Sequence, residues 1–297
     1  MIENKSVISR VRVVVTYAIV LLLTLLCLFP LWNMVCISFS DATVVAANRV
    51  FFLPVDFTTM AYEKLLEDSQ FWRSFGTSVL VVILALIIQL SMILLLAYPL
   101  VKSEQEFRGR NICMGFFIFA MLFSGGMIPT YLVVKELKLL NTIWALVLPG
   151  AVPIGNVIMV MNFFSGIPKS LEEAAIIDGA SPLQVLLKVY VPCSKPSIAT
   201  MALFSIVGHW NSFYSGLIYM TKVEKYPLMS YIHTLQIDLG KMAESNMSAE
   251  DLTSILAVSG KNLNAAKVVV STIPLLLIYP FLQKYLITGI VMGAVKE

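Results

Sequence analysis

The chain has 297 residues, of which 58% are hydrophobic and 13% charged, with a formal net charge of +3 and a mean hydropathy of +0.85. A soluble domain is roughly half apolar and about a quarter charged, so this chain has too little polar surface to face water on every side. The small net charge, with no basic run interleaved with aromatics, points away from nucleic acid as a partner.

Six apolar stretches follow one another at 13–37, 74–101, 112–134, 141–164, 197–220 and 268–287. Each is expected to cross a membrane as a helix, because a bilayer core takes about 20 apolar helical residues and leaves no backbone group unpaired. Lys5, Arg10 and Arg12 precede the first stretch as they would a secretory signal. That stretch is too long, and no small-x-small cleavage site follows it closely, so it reads as an uncleaved span. Pro99, Pro149, Pro153, Pro274 and Pro280 fall in or beside the stretches, where membrane helices tolerate kinks. Gln283 and Lys284 interrupt the last one, and such side chains can snorkel.

Six spans place both termini on one side. Lys and Arg are denser in the tails, 102–110 and 166–196 than in 40–73, 135–140 and 221–267, so both termini are expected in the cytoplasm. The expected organisation is all-α: one polytopic membrane domain over 1–297, with an inner loop at 166–196 and an outer loop at 221–267. The cysteines (Cys27, Cys36, Cys113 and Cys193) form no Cys-x-x-Cys pair and have no histidine at ligand spacing, so no metal or redox site is indicated.

The inner loop carries the densest pattern. Ser170 followed by Glu173 has capping-box spacing and predicts a helix start. Leu171, Ala174 and Ala175 are expected on one face, and Gly179 is suited to end the helix or turn it sharply. Ser181 with Pro182 behind it predicts a second short helix, stopped before Pro192. Two short helices around a glycine bend, with small residues and carboxylates, suit docking into a cleft on a partner; a surface-lying connector has the same outline.

Glu173-Ala174-Ala175, Asp178-Gly179-Ala180 and Pro192 resemble the EAA loop of ABC importer permeases. The resemblance extends to Ile128-Pro129-Thr130-Tyr131, Leu140-Asn141-Thr142, Leu148-Pro149-Gly150 and Ile167-Pro168. Trp210-Asn211 is similar to the fifth-span motif of the maltose-type carbohydrate group. The ending Tyr279-Pro280-Phe281-Leu282-Gln283-Lys284-Tyr285, with Gly289, Gly293 and Lys296, resembles the branch serving complex oligosaccharides and polysaccharides. Val191 and Cys193 stand where that family more often has leucine.

The resemblance implies a MetI-like permease fold in a bacterial cell membrane. It implies a second permease subunit, two ATP-binding-cassette ATPase subunits holding ATP and Mg, an extracytoplasmic solute-binding protein, and a carbohydrate as cargo. It places the coupling contact at Glu172, Glu173, Ala174, Ala175, Asp178, Gly179, Ala180, Pro182 and Pro192. The chain itself has no Gly-x-x-x-x-Gly-Lys-Ser/Thr phosphate loop, so no nucleotide or other cofactor is expected on it.

Along the fifth stretch, Ser205, Gly208, His209, Ser212, Ser215 and Gly216 fall on one broad helical face, with Trp210, Asn211 and Tyr214 beside it. Hydroxyls and aromatic rings suit a sugar pathway, while small polar residues equally pack helices together in lipid. In the outer loop, the resemblance implies that Tyr226, Pro227, Leu228 and Tyr231 reach a docked binding protein. Trp32, Trp72 and Trp144 read as interface anchors or core fillers, and Asn156 and Asn162 share no face.

An ion-coupled transporter would place ionisable residues within the membrane, and apart from the snorkelling Lys284 the six stretches hold none except His209. A membrane-embedded enzyme would need a nucleophile–base pair or metal ligands, which two distant histidines do not supply. Among importer cargoes, a peptide or other small solute is the alternative to a sugar.

Overall fold

The computed structural model describes residues 7–244 and 260–294, and all regular structure among them is helical. Residues 245–259 of the outer loop and Lys296 lie outside the described residues. Three helices are long and apolar enough to span a bilayer, with windows Val11–Ser38, Ser69–Val101 and Lys261–Phe281. The number rises to five if two bent pairs each count as one span.

The chain forms two compact units, one from 1–69 with 234–272 and the other from 70–233 with 273–297. In the first unit, α1 (Val7–Ser38) is followed by the short α2 (Ala42–Ala46) and α3 (Met60–Glu67). From Val11 to Trp32 every α1 side chain is exposed, and almost all are apolar. A helix apolar all round and exposed over that length has acyl chains or another subunit as its natural surroundings. The unit's packing begins lower, where Cys36, Val45 and Val50 are buried together and Phe39 lies 4.7 Å from Tyr62 and 5.5 Å from Phe57. Lys267 Nζ meets Asp68 Oδ2 at 2.6 Å with little solvent at either group, so this ammonium is buried with its counter-charge.

The second unit is organised by α4 (Ser69–Val101). Phe71, Ser74, Ser78, Val81, Ala85, Gln89, Ile93, Ala97 and Leu100 are buried along one face at steps of three and four. Two cores attach to this stripe. Val81 and Ala85 pack with Val134, α7 (Ile143–Val147) and Tyr219. Ile93, Ala97 and Leu100 pack with Val157, Val160, Phe164, Val185, Leu186 and Tyr190.

The third and fourth apolar stretches are not single helices. The expected span at 112–134 is broken into α5 (Arg110–Leu122) and α6 (Met127–Glu136), which meet at 113°. The break holds Ser124-Gly125-Gly126, and Gly126 has φ +82°, a left-handed backbone that glycine adopts without steric cost. In the fourth stretch, α7 and a 3-10 turn at Leu148–Gly150 bend by 48° into α8 (Ile154–Phe164), with Pro153 at the joint. Pro99, Pro274 and Pro280, by contrast, lie inside continuous helices.

The fifth stretch also divides, into α12 (Lys195–Trp210) and α13 (Tyr214–Tyr219), with Asn211–Phe213 between them. Neither half has bilayer-spanning length. The sixth lies within one helix, α15 (Lys261–Ala294), which begins before the expected boundary. The expected outer loop contains α14 (Leu228–Glu244).

Asn141 shows how the turns are fixed. It sits at φ +63°, which an Asn tolerates better than most residues. Its Oδ1 accepts from the N–H of Thr221 at 2.8 Å and from Thr221 Oγ1 at 2.9 Å, and its N–H donates to the Tyr219 carbonyl.

Candidate coupling loop and cavity

The loop at 166–196 folds into α9 (Lys169–Ile177), α10 (Pro182–Val185) and α11 (Val191–Cys193). Its first start signal is corrected by the structure. Pro168, extended at φ −59° and ψ 128°, is the N-cap of α9, and no side chain caps the helix. The Leu171 N–H already donates to the Pro168 carbonyl, so Ser170 lies inside the first turn and cannot act as the cap.

The end of α9 is formed as expected. Gly179 has φ +82°, its N–H donates to the Ile176 carbonyl, and the Ala180 N–H donates to the Ala175 carbonyl, both at 2.9 Å. These two bonds are the Schellman arrangement that closes a helix on a left-handed residue. Ser181 then caps the second helix, with a reciprocal bond from Gln184 and Pro182 at the start. That helix does not stop before Pro192. It widens into a π turn over Leu186–Tyr190 and continues through Val191–Cys193. A proline ring collides with the carbonyl four residues earlier in an α-helix, and the wider turn gives that carbonyl room.

The two faces of α9 separate the named residues. Ala175 and Ala180 pack against the core of Val157, Val185 and Tyr190. Leu171, Glu173, Ala174, Ile176, Ile177, Asp178 and Gly179 are exposed, Ile177 to 86%. Leu183 and Leu187 add exposed apolar surface from the second helix, and Pro182 and Pro192 are exposed as well. The expected common face of Leu171, Ala174 and Ala175 is therefore divided, since helix steps of about 100° carry Ala175 inward.

Glu172 also turns inward. Its carboxylate contacts Lys102 Nζ, accepts from Tyr190 Oη at 2.7 Å and lies 3.5 Å from Tyr98 Oη. Both charged side chains are 12% exposed. The Lys102 ammonium stands 4.3 Å from the Tyr98 ring centroid and 5.2 Å from that of Tyr190. Burial pushes Lys102 below its ordinary value, Glu106 draws it back up, and the nearby Lys169 charge lowers it. Burial raises the Tyr190 phenol, which keeps it a protonated donor to the carboxylate.

A cavity of ≈ 460 Å³ opens higher in the same unit. Of the expected pathway residues, it brings together Ser205, Gly208, His209, Ser212 and Ser215. Trp210 is buried, with its ring edge-on to Phe75 at 5.5 Å. Tyr214 is exposed and directs its hydroxyl to Met127 Sδ, and Asn211 lies in the break after α12. These three do not line the cavity. The opposite wall includes Gln89, Pro149, Gly150 and Asn156, which the sequence did not bring together.

Gln89 Nε2 donates to the Gly150 carbonyl at 2.6 Å. His209 Nδ1 bonds the Ser205 carbonyl of its own helix, rather than a neighbouring helix. Ser205 Oγ is buried and has no hydrogen-bond partner among the described residues. The lining contains hydroxyl, amide and imidazole groups and no Asp, Glu, Lys or Arg.

The expected binding-protein residues are folded inward. Pro227, Leu228 and Tyr231 are buried and Tyr226 half-buried. The Leu228 N–H donates to Ser78 Oγ at 2.8 Å, and Ser230 Oγ donates to the Phe213 carbonyl at 2.6 Å. This run fastens α14 to α4 and α13. His233 stacks on Phe213 at 4.4 Å. Trp32, Trp72 and Trp144 are each partly exposed, and Trp32 Nε1 donates to the Phe52 carbonyl.

Residues 95–292 match the family described as binding-protein-dependent transport system inner membrane component. Protein LplC of Bacillus subtilis is 39% identical over 91% of this chain and 89% of its own length. A polygalacturonan/rhamnogalacturonan transport system permease protein, YtcP of the same organism, is 35% identical over 97% and 99%. Among solved structures, a bacterial ABC transporter involved in import of the acidic polysaccharide alginate contains a chain that superposes with a TM-score of 0.83. It is 31% identical and covers 95% of this chain and 98% of that one. The chain therefore belongs to the inner membrane components of binding-protein-dependent transport systems and has the all-α, MetI-like permease fold of an ABC importer.

Proposed function

We propose that this chain forms half of the translocation pathway for an oligosaccharide, paired with a second permease subunit in a bacterial cell membrane. Two ATPase subunits holding ATP and Mg sit beneath it, a solute-binding protein docks outside, and both termini lie in the cytoplasm. The observation that carries this reading is the exposed face of α9, where Glu173, Ala174, Ile177 and Asp178 surround a glycine bend. An apolar and acidic ridge of this kind suits a cleft with basic groups on an ATPase. The relatives' names support a saccharide as cargo.

The cavity beside α12 supplies this chain's share of the pathway. Ser205, His209, Ser212, Gln89 and Asn156 present donors and acceptors that match sugar hydroxyls. ATP-driven closure of the ATPases would shift the inward- and outward-facing populations through the loop.

The test is uptake and ATP hydrolysis by the complete complex in proteoliposomes, across neutral and uronate oligosaccharides and a peptide panel. Saccharide uptake that requires both ATP and binding protein is expected. Uptake of peptides alone, or uptake driven by an ion gradient without ATP, would overturn the reading.

A further inference from the structure

Glu172 is adjacent in sequence to the docking ridge yet takes no part in its exposed surface. A carboxylate removed from water requires partners for its lone pairs, and here three side chains supply them: Lys102, Tyr190 and Tyr98. Those partners come from two other elements. Tyr98 lies in the last turn of α4 and Lys102 just beyond it, while Tyr190 belongs to the π turn of the second loop helix. Tyr190 is itself wedged edge-on against Tyr98 at 5.2 Å and Phe164 at 5.0 Å.

We infer that Glu172 is a positioning residue which fastens the coupling helix to α4, so that displacement of α9 is delivered to the helix lining the cavity. Helix α4 is continuous from Tyr98 back to Gln89, about two and a half turns earlier. Gln89 holds the Gly150 carbonyl, at the bend before α8, and lines the cavity. The proposed chain of contacts is therefore short: α9, the Glu172 carboxylate, α4, then the amide at the cavity wall. An ionic and hydrogen-bonded joint between three helices resists slippage better than the small alanine contacts at Ala175 and Ala180, which constrain distance more than direction.

This inference rests on the docking reading above and deepens it, and the test separates the two. The complete complex is reconstituted with Glu172→Gln, Lys102→Met, the exchange Glu172→Lys with Lys102→Glu, Tyr190→Phe and, on the exposed ridge, Glu173→Lys. Two quantities are read: ATPase subunit retained on the purified permease, and saccharide transported per ATP hydrolysed. Glu172→Gln and Lys102→Met are expected to retain the ATPase at the wild-type level while transport per ATP falls by about fivefold or more. The exchange is expected to recover most of that ratio.

Loss of ATPase retention with Glu172→Gln would make Glu172 a docking residue and overturn the inference, as would a wild-type ratio. Should the charge variants fail to assemble, Tyr190→Phe decides. It removes one hydrogen bond and keeps the ring, and it is expected to lower the ratio by about twofold. An unchanged ratio there would overturn the inference. Undiminished ATPase retention with Glu173→Lys would instead count against the docking reading.

Discussion

Replacing Gly179 by valine is expected to reduce ATP-driven uptake by about tenfold or more while the protein still reaches the membrane. The reason is backbone conformation. Gly179 has φ +82°, and a Cβ built there meets no atom within 4 Å, so space is available and only the dihedral is unfavourable. A left-handed L-residue costs about 1–2 kcal/mol, and a β-branched one is worse placed still.

The chain would escape that cost by opening the Schellman bonds from Gly179 to Ile176 and from Ala180 to Ala175. Opening them changes the angle between α9 and the Ser181-capped helix, which displaces Glu173 and Asp178 from their docking register. Gly179→Asn is the informative control, since asparagine tolerates this region. It should retain most of the activity that valine loses. Uptake in proteoliposomes, normalised to inserted protein, checks both, and wild-type uptake in the valine variant would remove the bend from the mechanism.

Gly216→Val should act on folding rather than coupling. A Cβ on Gly216 would collide with Ser230 Oγ and lie 2.7 Å from Pro227 Cδ and 2.9 Å from Ser230 Cβ. Ser230 and Pro227 are both buried, so neither can retreat into solvent. Overpacking costs about 1–3 kcal/mol, and the lost Ser230–Phe213 hydrogen bond adds about 1 kcal/mol. The expected result is a fall of several degrees in the midpoint of thermal unfolding in detergent, with less protein in the membrane. Pairing Gly216→Ala with Ser230→Gly should recover part of the loss relative to Gly216→Ala alone. No recovery would mean that the close approach of α13 and α14 is not what constrains this position.

These two glycines mark what the sequence disclosed and what it withheld. The role of Gly179 follows from local chemistry, because a capping serine two residues later and a proline after it announce a second helix. Gly216 looked like one more small residue on a polar face. Its role depends on Pro227 and Ser230, which approach it only after α13 and α14 have packed. The same distinction explains Pro227, Leu228 and Tyr231, whose aromatic and apolar character suited an exposed contact until Ser78 and Phe213 were seen to hold the run inward.

Periodicity located the apolar stretches but not their breaks. Gly125-Gly126 carried a local signal for the bend in the third stretch, hidden by the apolar residues on either side. Half of the cavity was legible as Ser205 and His209 on α12 with Ser212 just beyond its end. Its opposite wall, Gln89 with Gly150 and Asn156, is assembled from three separate elements, and no spacing within one helix encodes it. The inward turn of Glu172 was hidden for the same reason, since Lys102 and Tyr190 lie far from it in the chain.

The most direct measurement takes Ile177, the large apolar side chain at the crest of α9, as a reporter. In a background with the four native cysteines replaced, Ile177→Cys is treated with a membrane-impermeant thiol reagent in intact cells and in inverted vesicles. The account predicts labelling in inverted vesicles alone, with protection when the ATPase subunits are bound. Labelling in intact cells, or equal labelling with and without the ATPase, would contradict it.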